Sequence, residues 1–427
     1  MKLPRIFDIK IKNRAIPVIA GALIQMCLGT AYIWSVFQTG VANYLFSGNN
    51  ANAALTFSLL LAILSVGSAF GGKIQDKIGP SPVIVSGGII LALGFFLSSL
   101  VKPSAPWVIW LTYGGLGGLG MGFIYSTTIA CCQKWFPDKR GLISGIIVSA
   151  LGFGGVIFTP IAESLIKILG KNVQGVGELK TFALLALIFL VICTLGGLFI
   201  VNPPSGYKPK GWTPPAQQSG VTIKQYTPLE MLKTPNYYLI TLTLMLACMA
   251  GLMMIGFAKP ISQAKGISAN VAAVGVMIIS IFNSFGRLFW GWVSDKVGRK
   301  QTVLILLILT AVIIPFVTFT KGYMILVLIG VIGFSYGGFL GTFPALTADY
   351  FGTKNMGSNY GFVLVGFGIG AVASSYIAGY FRDKATQAGD ISKMLPAFIF
   401  AAAAAAVGIA LIMLLKQPKV KDDGKNN

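Results

Sequence analysis

The sequence has no histidine and only five cysteines in 427 residues. Histidine is the commonest metal ligand and the usual proton-transfer group near pH 7, so most metal and acid–base sites are excluded. The cysteines show no metal-like spacing and fall in or at the edge of apolar segments, which indicates neither disulfides nor a metal centre. No nucleophile–base constellation is present either. We therefore expect no metal, no cofactor and no enzyme activity.

Charge is also scarce. Only 11% of the residues are charged, of which 12 are acidic and 33 are basic, whereas 55% are hydrophobic. A water-soluble core cannot hide so much apolar surface in a chain of this length, so lipid is the expected solvent. Apolar runs of about 20 residues are long enough for helices to cross a bilayer. The twelve predicted spans are 15–37, 54–72, 82–101, 106–132, 142–168, 181–201, 236–258, 268–292, 301–319, 323–348, 356–381 and 394–415.

The basic residues are concentrated on one side of the predicted membrane. If the N-terminus is cytoplasmic, the inside segments hold 22 lysines and arginines and the outside segments hold ten. The positive-inside rule then places both termini in the cytoplasm, with the protein in the cell inner membrane. This distribution explains the net charge of +21 without nucleic acid, so the expected surroundings are a lipid bilayer.

The chain divides near its middle. Residues 202–235 contain seven prolines and break the hydropathy pattern, which indicates a cytoplasmic linker between two six-helix units, 1–201 and 236–427. Within the linker, Thr227-Pro228-Leu229-Glu230 has the pattern of a helix start with a capping box. We expect a short interfacial helix there.

Matching loop motifs in both units indicate a duplication. Gly72, Asp76 and Lys77 follow the second span, and Gly291, Asp295, Lys296, Gly298 and Arg299 follow the eighth. The two aspartates are 219 residues apart, and Trp135-Phe136 lies 215 residues before Tyr350-Phe351. Parallel duplication of a six-helix unit is a transporter architecture. We expect the motif glycines to allow tight turns, the aspartates to cap neighbouring helices and the loops to control conformational switching.

Arg287 is the clearest candidate for a binding residue. It lies within the eighth span, where a charge is rare and costly, about 2.5–3.5 kcal/mol on insertion scales. Ser280, Asn283 and Arg287 share one face of an otherwise apolar helix, which we expect to line an aqueous cavity. A guanidinium there is suited to bidentate recognition of a carboxylate. The alternatives are that Arg287 reaches the cytoplasmic interface or pairs with a structural carboxylate.

Aromatic residues supply further candidates. Tyr125 and Tyr336 lie in glycine-dense spans four and ten, where glycine allows helices to bend and pack closely. A tyrosine hydroxyl there can donate to an anion, although plain core packing explains the residues equally well. Tyr32 and Trp34 in the first span are further candidates for the substrate site.

Three segments carry a family resemblance: Trp135-Phe136-Pro137-Asp138-Lys139-Arg140-Gly141, Phe289-Trp290-Gly291 through Asp295, and Asn359-Tyr360-Gly361-Phe362. With the loop motifs they resemble the major facilitator superfamily, in particular the oxalate/formate antiporter family and its bacterial monocarboxylate-transporter relatives. The resemblance implies an all-α membrane protein with the major facilitator fold, twelve transmembrane helices in two pseudo-symmetric halves. It also implies that Arg287 binds carboxylate and that Tyr125 and Tyr336 match family aromatics.

Two departures from the family shape the functional expectation. Dicarboxylate exchangers of the family carry a second basic residue in span eleven, where this chain has Phe367, and animal monocarboxylate carriers have an aspartate where this chain has Asn283. One cavity cation implies one carboxylate. The expected function is transport of lactate, pyruvate or formate by proton symport or anion exchange, with the protein acting as a monomer. The alternatives are oxalate/formate-type exchange and a non-transporting carboxylate sensor.

Overall fold

The computed structural model describes residues 13–170, 173, 175–209, 211–212, 222–264, 266–388, 390–416 and 420–421. These residues form long helices and two strands of two residues each. Each of the twelve predicted spans falls on a helical segment, with ends that differ by up to eight residues. Eleven helical segments of the described chain are long and apolar enough to cross a membrane. The other predicted span falls on the 29-residue helix that carries Arg287.

The first half contributes seven helices to six spans, because the first span is broken by a 3₁₀ turn at Gly29–Ile33. The fourth span begins with a π-helical segment at Trp110–Gly117. The helices are α1 (Ala15–Leu28), α2 (Trp34–Leu45), α3 (Asn50–Ile78), α4 (Pro80–Ser98), α5 (Gly118–Trp135), α6 (Arg140–Gly170) and α7 (Val176–Leu198).

The second half follows the linker with six long helices, and a 3₁₀ turn at Ile391–Met394 leads into the last of them. The described linker and tail also contain β1 (Thr222–Ile223), α8 (Pro228–Leu232) and β2 (Val420–Lys421). The long helices are α9 (Pro235–Ala264), α10 (Ala269–Val297), α11 (Arg299–Phe319), α12 (Met324–Phe351), α13 (Met356–Ala388) and α14 (Leu395–Met413).

The linker ends in the short helix that its sequence predicts. The Glu230 side chain accepts from the Thr227 backbone N–H, and the Glu230 N–H donates to the Thr227 hydroxyl, so both halves of the capping box form. Just before it, Tyr226 donates its N–H to the carbonyl of Phe351. β1 pairs antiparallel with β2. The linker is thus attached both to the end of α12 and to the chain's tail.

The two halves meet most closely at one end of the bundle, here named the terminal end because Arg14 and Lys416 lie there. Two helix pairs cross between the halves at this end, α3 with α13 and α6 with α10. Gly72 lies against the backbone of Gly357, and Gly141 lies against Gly291. A side chain at Gly72, Gly141 or Gly291 would push the backbones apart, so the sequence permits this closure only because these three positions lack a Cβ.

The same helix faces diverge towards the opposite, far end. On α13 the face that begins at Gly361 continues to Tyr376, which is 77% exposed, and to Gly379, where an added Cβ would meet nothing within 4 Å. On α6 the face that begins at Gly141 continues to Val156 and Glu163, which are both exposed. Among the described residues, the halves are therefore closed at the terminal end and splayed at the far end.

Candidate functional site

Tyr32 is positioned by the break in the first span. Gly29, at the start of the 3₁₀ turn, lies against the carbonyl of Leu151 and against Gly154 of α6, so no larger residue fits. The change of helical pitch in this turn carries Tyr32 to the side of Arg287, and its hydroxyl accepts from Nη2 of Arg287 at 3.2 Å.

The backbone of Arg287 lies between two neighbouring helices. Gly145 of α6 and Gly341 of α12 both face the Arg287 carbonyl, and Gly337 of α12 faces the Asn283 carbonyl. These glycines let α10 approach both helices at backbone distance, as their clustering in the sequence predicts for α12. The close packing fixes the Cα of Arg287, so the side chain emerges at a defined point between the halves.

The Arg287 side chain is 1% exposed and does not reach the bundle surface. Nη1 donates to the carbonyl oxygen of Val148 at 2.7 Å, Nη2 donates to Tyr32, and Nε is buried without a partner. Among the described residues no carboxylate pairs with it. The geometry therefore agrees with neither alternative considered for Arg287, and the buried charge has only neutral acceptors.

A small cavity adjoins the guanidinium. It measures about 20 Å³, which is room for about one water molecule. Arg287, Tyr32, Tyr125 and Phe367 line it. The rest of the lining is leucine and alanine: Leu28, Ala31, Leu61, Leu64, Leu151, Leu340 and Leu364. The cavity lining thus combines one cation and two tyrosine rings with apolar side chains.

Three other candidates do not line this cavity. Asn283 donates its side-chain amide to the carbonyl of Gly333 on α12 at 3.3 Å. Tyr336 packs its ring on Gly251 and lies near enough to Arg287 to interact electrostatically, with its hydroxyl buried and unpartnered. Trp34 stacks on Phe182 and contacts Tyr113 within the first half, with its indole N–H unpartnered. The structure thus places Trp34 in an aromatic core rather than on the cavity.

Two features of the site were not found in the sequence. The Val148 carbonyl carries no side-chain signal, so its contact with Arg287 follows only from the crossing of α6 and α10. Tyr360 was noted only as part of the Asn-Tyr-Gly-Phe motif, yet it is fully buried and its ring lies 6.4 Å from that of Tyr125. The signal available in the sequence was a tyrosine within the polar motif of a predicted span.

The loop motifs form two cross-half caps. Asp76, at the end of α3, accepts from the Ser358 N–H in the first turn of α13 at 3.0 Å. Asp295, at the end of α10, accepts from the Gly141 and Leu142 N–H groups in the first turn of α6 at 3.0 and 2.8 Å. Each aspartate therefore accepts hydrogen bonds from backbone N–H groups at the start of a helix in the opposite half, which have no partner within that helix.

The other motif residues differ in their roles. Gly298 adopts a φ of +103°, which only glycine tolerates, and so forms the predicted tight turn. Gly72 and Gly291 lie inside helices and serve close helix approach, so the expectation of turns there was wrong. Lys296 lies over the Trp292 ring at 4.0 Å, and Lys77 is exposed at the end of α3.

An ion-pair network lies beside the α6–α10 contact, whereas no salt bridge joins α3 to α13 among the described residues. Asp349 at the end of α12 pairs with Arg140 of the first half at 2.9 Å and with Arg299 at 3.1 Å, and Arg299 also pairs with Asp295. In the first half, Pro80 occupies the register position of Arg299 and Lys134 that of Asp349. The duplicated contacts between the halves therefore use different chemistry.

The comparisons with known proteins agree with this architecture. The family model described as Major Facilitator Superfamily matches residues 19–259 and 240–427. The chain belongs to the major facilitator superfamily. Among solved structures, the Escherichia coli fucose:proton symporter superimposes on this facilitator with a TM-score of 0.69 at 14% identity, over 95% of this chain and all of that one.

Curated relatives of this facilitator include carriers of organic anions. It is 32% identical to the uncharacterised MFS-type transporter YhjX of Escherichia coli over 84% of this chain and 86% of that one. It is 30% identical to the oxalate:formate antiporter of Oxalobacter formigenes over 81% and 79%. It is 25% identical to the rat monocarboxylate transporter 13 over 79% and 75%. The resemblance inferred from the motifs is thus confirmed.

Proposed function

We propose that this facilitator carries small monocarboxylates, such as lactate, pyruvate or formate, through the inner membrane by alternating access around Arg287. The observation that carries the proposal is a buried guanidinium with no acidic partner among the described residues, at the edge of a cavity whose other lining is two tyrosines, Phe367, leucine and alanine. A carboxylate head would neutralise the charge, and a short apolar tail would lie against the leucines.

The proposed substrate enters by displacing local contacts. The cavity of about 20 Å³ is smaller than any organic anion, so Tyr32 or a neighbouring leucine must move aside. Tyr32 is the mobile partner in this proposal, because its hydroxyl contacts Nη2, whereas Nη1 is held by the backbone of Val148. The carboxylate would then accept from Nη2 and from the unpartnered Nε.

The halves 1–201 and 236–427 move about the site in this proposal, with 202–235 as the cytoplasmic linker. With the terminal end in the cytoplasm, the conformation closed there and splayed at the far end is accessible from outside. Inward opening then requires the caps of Asp76 and Asp295 and the ion pairs of Asp349 to separate. We infer that the carrier acts as a monomer, since one chain contains the whole site.

Oxalate exchange is the rival function. It is favoured by the 30% identity to a protein named for it. The lining of the cavity opposes it, because Phe367 lies where a second cation would be needed and Arg287 is the one cation among the lining residues. A dicarboxylate would therefore leave one buried charge unpaired.

The test is a substrate panel in proteoliposomes containing the full chain, with labelled lactate inside or outside and a controlled pH gradient. We expect pyruvate and formate to compete with lactate and oxalate or malonate to compete at least tenfold less well. Stimulation by an inward proton gradient would identify symport, and its absence with preserved exchange would identify antiport. Binding of lactate without flux under both conditions would instead identify a sensor.

A further inference from the structure

An open groove of about 560 Å³ lies on the surface of the second half, between the start of α9 and the end of α14. Its walls are apolar, formed chiefly by Tyr238, Leu242 and Leu414. These side chains are 55%, 40% and 65% exposed, so they present bare apolar surface to whatever surrounds the helix bundle.

Two lysines mark the terminal-end side of this groove. Lys233 precedes α9, Lys416 follows α14, both side chains are exposed and both line the groove. Among the described residues neither takes part in a salt bridge, and no acidic residue lines the groove. Glu230, one turn before Lys233, is occupied by Lys224 at 3.3 Å and by the N–H and hydroxyl of Thr227. Within the described part of the chain, two cations without an acidic partner therefore face the same opening.

The backbone that carries Lys416 is fixed by other residues. Lys300 donates its ammonium to the carbonyls of Met413 and Leu415, both at 2.9 Å, and Asn236 donates to the carbonyl of Lys416 at 3.2 Å. The carbonyls of Met413, Leu415 and Lys416 are thus already satisfied. The Lys416 ammonium is not needed as a helix cap and remains available to a ligand.

The position of the groove relative to the bilayer surface is indicated by α8, which ends directly before Lys233. Leu229 on this short capped helix is 73% exposed, and Lys224 and Glu230 are partly exposed beside it. Such a segment, with an exposed leucine among charges, suits the boundary between headgroups and acyl chains. The lysines then lie at headgroup level, and the apolar walls lie at acyl-chain level.

We propose that this groove binds one anionic phospholipid, with its phosphate between Lys233 and Lys416 and an acyl chain along Tyr238, Leu242 and Leu414. Charge complementarity selects an anionic headgroup over a zwitterionic one, because a choline headgroup would bring its own cation to the lysines. The apolar walls select a lipid over a soluble phosphate. This site is separate from Arg287 and does not depend on the transported substrate.

Native mass spectrometry of the full chain, released from nanodiscs of equal phosphatidylglycerol and phosphatidylcholine, tests the proposal. The parent should retain one phosphatidylglycerol in preference to phosphatidylcholine, and the double variant Lys233→Gln with Lys416→Gln should retain it about tenfold less. The matched control, Lys73→Gln with Lys354→Gln, removes two exposed charges from the same end of the bundle outside the groove. It should retain phosphatidylglycerol as the parent does.

Three outcomes would overturn the proposal. Equal retention of phosphatidylglycerol by the parent and the groove variant would show that the lysines do not hold it. Equal retention of both lipids by the parent would show that the groove does not select charge. Displacement of phosphatidylglycerol by an equal concentration of glycerol phosphate would assign the lysines to a soluble phosphate instead.

Discussion

At the scale of single residues, we expect Arg287 to determine what the site can recognise. Its two terminal nitrogens have different roles, since Nη1 is fixed to a backbone carbonyl and Nη2 contacts a tyrosine hydroxyl. A planar fork can make both contacts and still present Nε, whereas a lysine ammonium occupies one point. The identity of this residue therefore matters beyond its charge.

Replacing Arg287 with lysine should abolish most lactate uptake, at least tenfold, while membrane insertion stays normal. The charge remains, but the contacts with Val148 and Tyr32 cannot both be kept. Arg287→Gln, which also loses the charge, should be at least as damaged. Initial uptake rates at matched protein content give the answer, with Lys354→Arg as an exposed control. Uptake by Arg287→Lys close to that of the parent would contradict the assignment.

Replacing Phe367 with lysine should shift selectivity towards oxalate or malonate. The residue is 5% exposed and lines the cavity with Arg287, so the new ammonium would face the far carboxylate of a dicarboxylate. Competition of labelled lactate by both classes of anion measures the shift. Phe367→Met, which keeps the apolar lining, should retain the preference for monocarboxylates. If the folded lysine variant binds dicarboxylates no better than the parent, Phe367 does not contact substrate.

Sequence reasoning located Arg287, Tyr32, Tyr125 and Phe367 because a charge, a polar ring or a family position marks each of them. It did not distinguish Trp34, since an indole ring looks the same in a cavity and in an aromatic core. The contact of the Val148 carbonyl could not be predicted from the sequence, because every residue has a carbonyl and only the crossing of α6 and α10 brings this one to Arg287. The hydrophobic period and the hydropathy of a sequence predict helices well. A contact between two residues 139 positions apart, such as Val148 and Arg287, depends on the assembled fold.

At the scale of helices, the α3–α13 and α6–α10 contacts at the terminal end, here called the two gates, each combine an aspartate cap with close glycine packing. The positions of the motif aspartates predict the caps, since a carboxylate stabilises unpaired N–H groups at a helix start. The ion pairs of Asp349 with Arg140 and Arg299 were not predicted, because Asp349 stands alone in the sequence near a span end. The two gates can therefore be perturbed separately.

Replacing Asp295 with alanine should favour opening of the α6–α10 gate. Loss of a charged cap costs about 1–2 kcal/mol, which shifts the population of the closed gate roughly 5- to 30-fold. Spin labels at Lys139 and Val297, both exposed and in opposite halves, report the distance between the helix ends. Asp390→Ala removes a cap whose partner, Ser392, lies in the same half, and should leave the distance unchanged. An unchanged distribution in Asp295→Ala would show that the cap does not hold the gate.

Replacing Gly361 with valine should stop transport by keeping α3 and α13 apart. Its added Cβ would meet the backbone of Ser68 and Ala69, which cannot move aside as a flexible side chain can. Gly379→Val on the same helix is the matched control, because no atom lies within 4 Å of an added Cβ there. Uptake should be lost in the first variant and kept in the second. Equal uptake by both would mean that this crossing is not compressed during transport.

At the scale of the whole carrier, we expect the buried charge of Arg287 to couple substrate binding to reorientation. Neutral acceptors satisfy its hydrogen bonds but do not cancel its charge, whose burial costs several kcal/mol. A bound monocarboxylate cancels it, so the loaded carrier should reorient faster than the unloaded one. External lactate or pyruvate should therefore accelerate efflux of preloaded label from proteoliposomes. Equal efflux with and without saturating external anion would show that the unloaded carrier returns freely.

In the proposed mechanism, the Tyr32 hydroxyl competes with the substrate carboxylate for Nη2 of Arg287. Every substrate in this mechanism displaces the hydroxyl, so the apparent affinity is the intrinsic affinity multiplied by the fraction of time that Nη2 is free. The same hydroxyl is ready to rebind as the substrate leaves, which speeds release into a compartment where the anion is already abundant. In that mechanism one phenol lowers the affinity and speeds release. The break in the first span at Gly29–Ile33, which positions Tyr32, would then help to set the substrate concentration at which the carrier saturates.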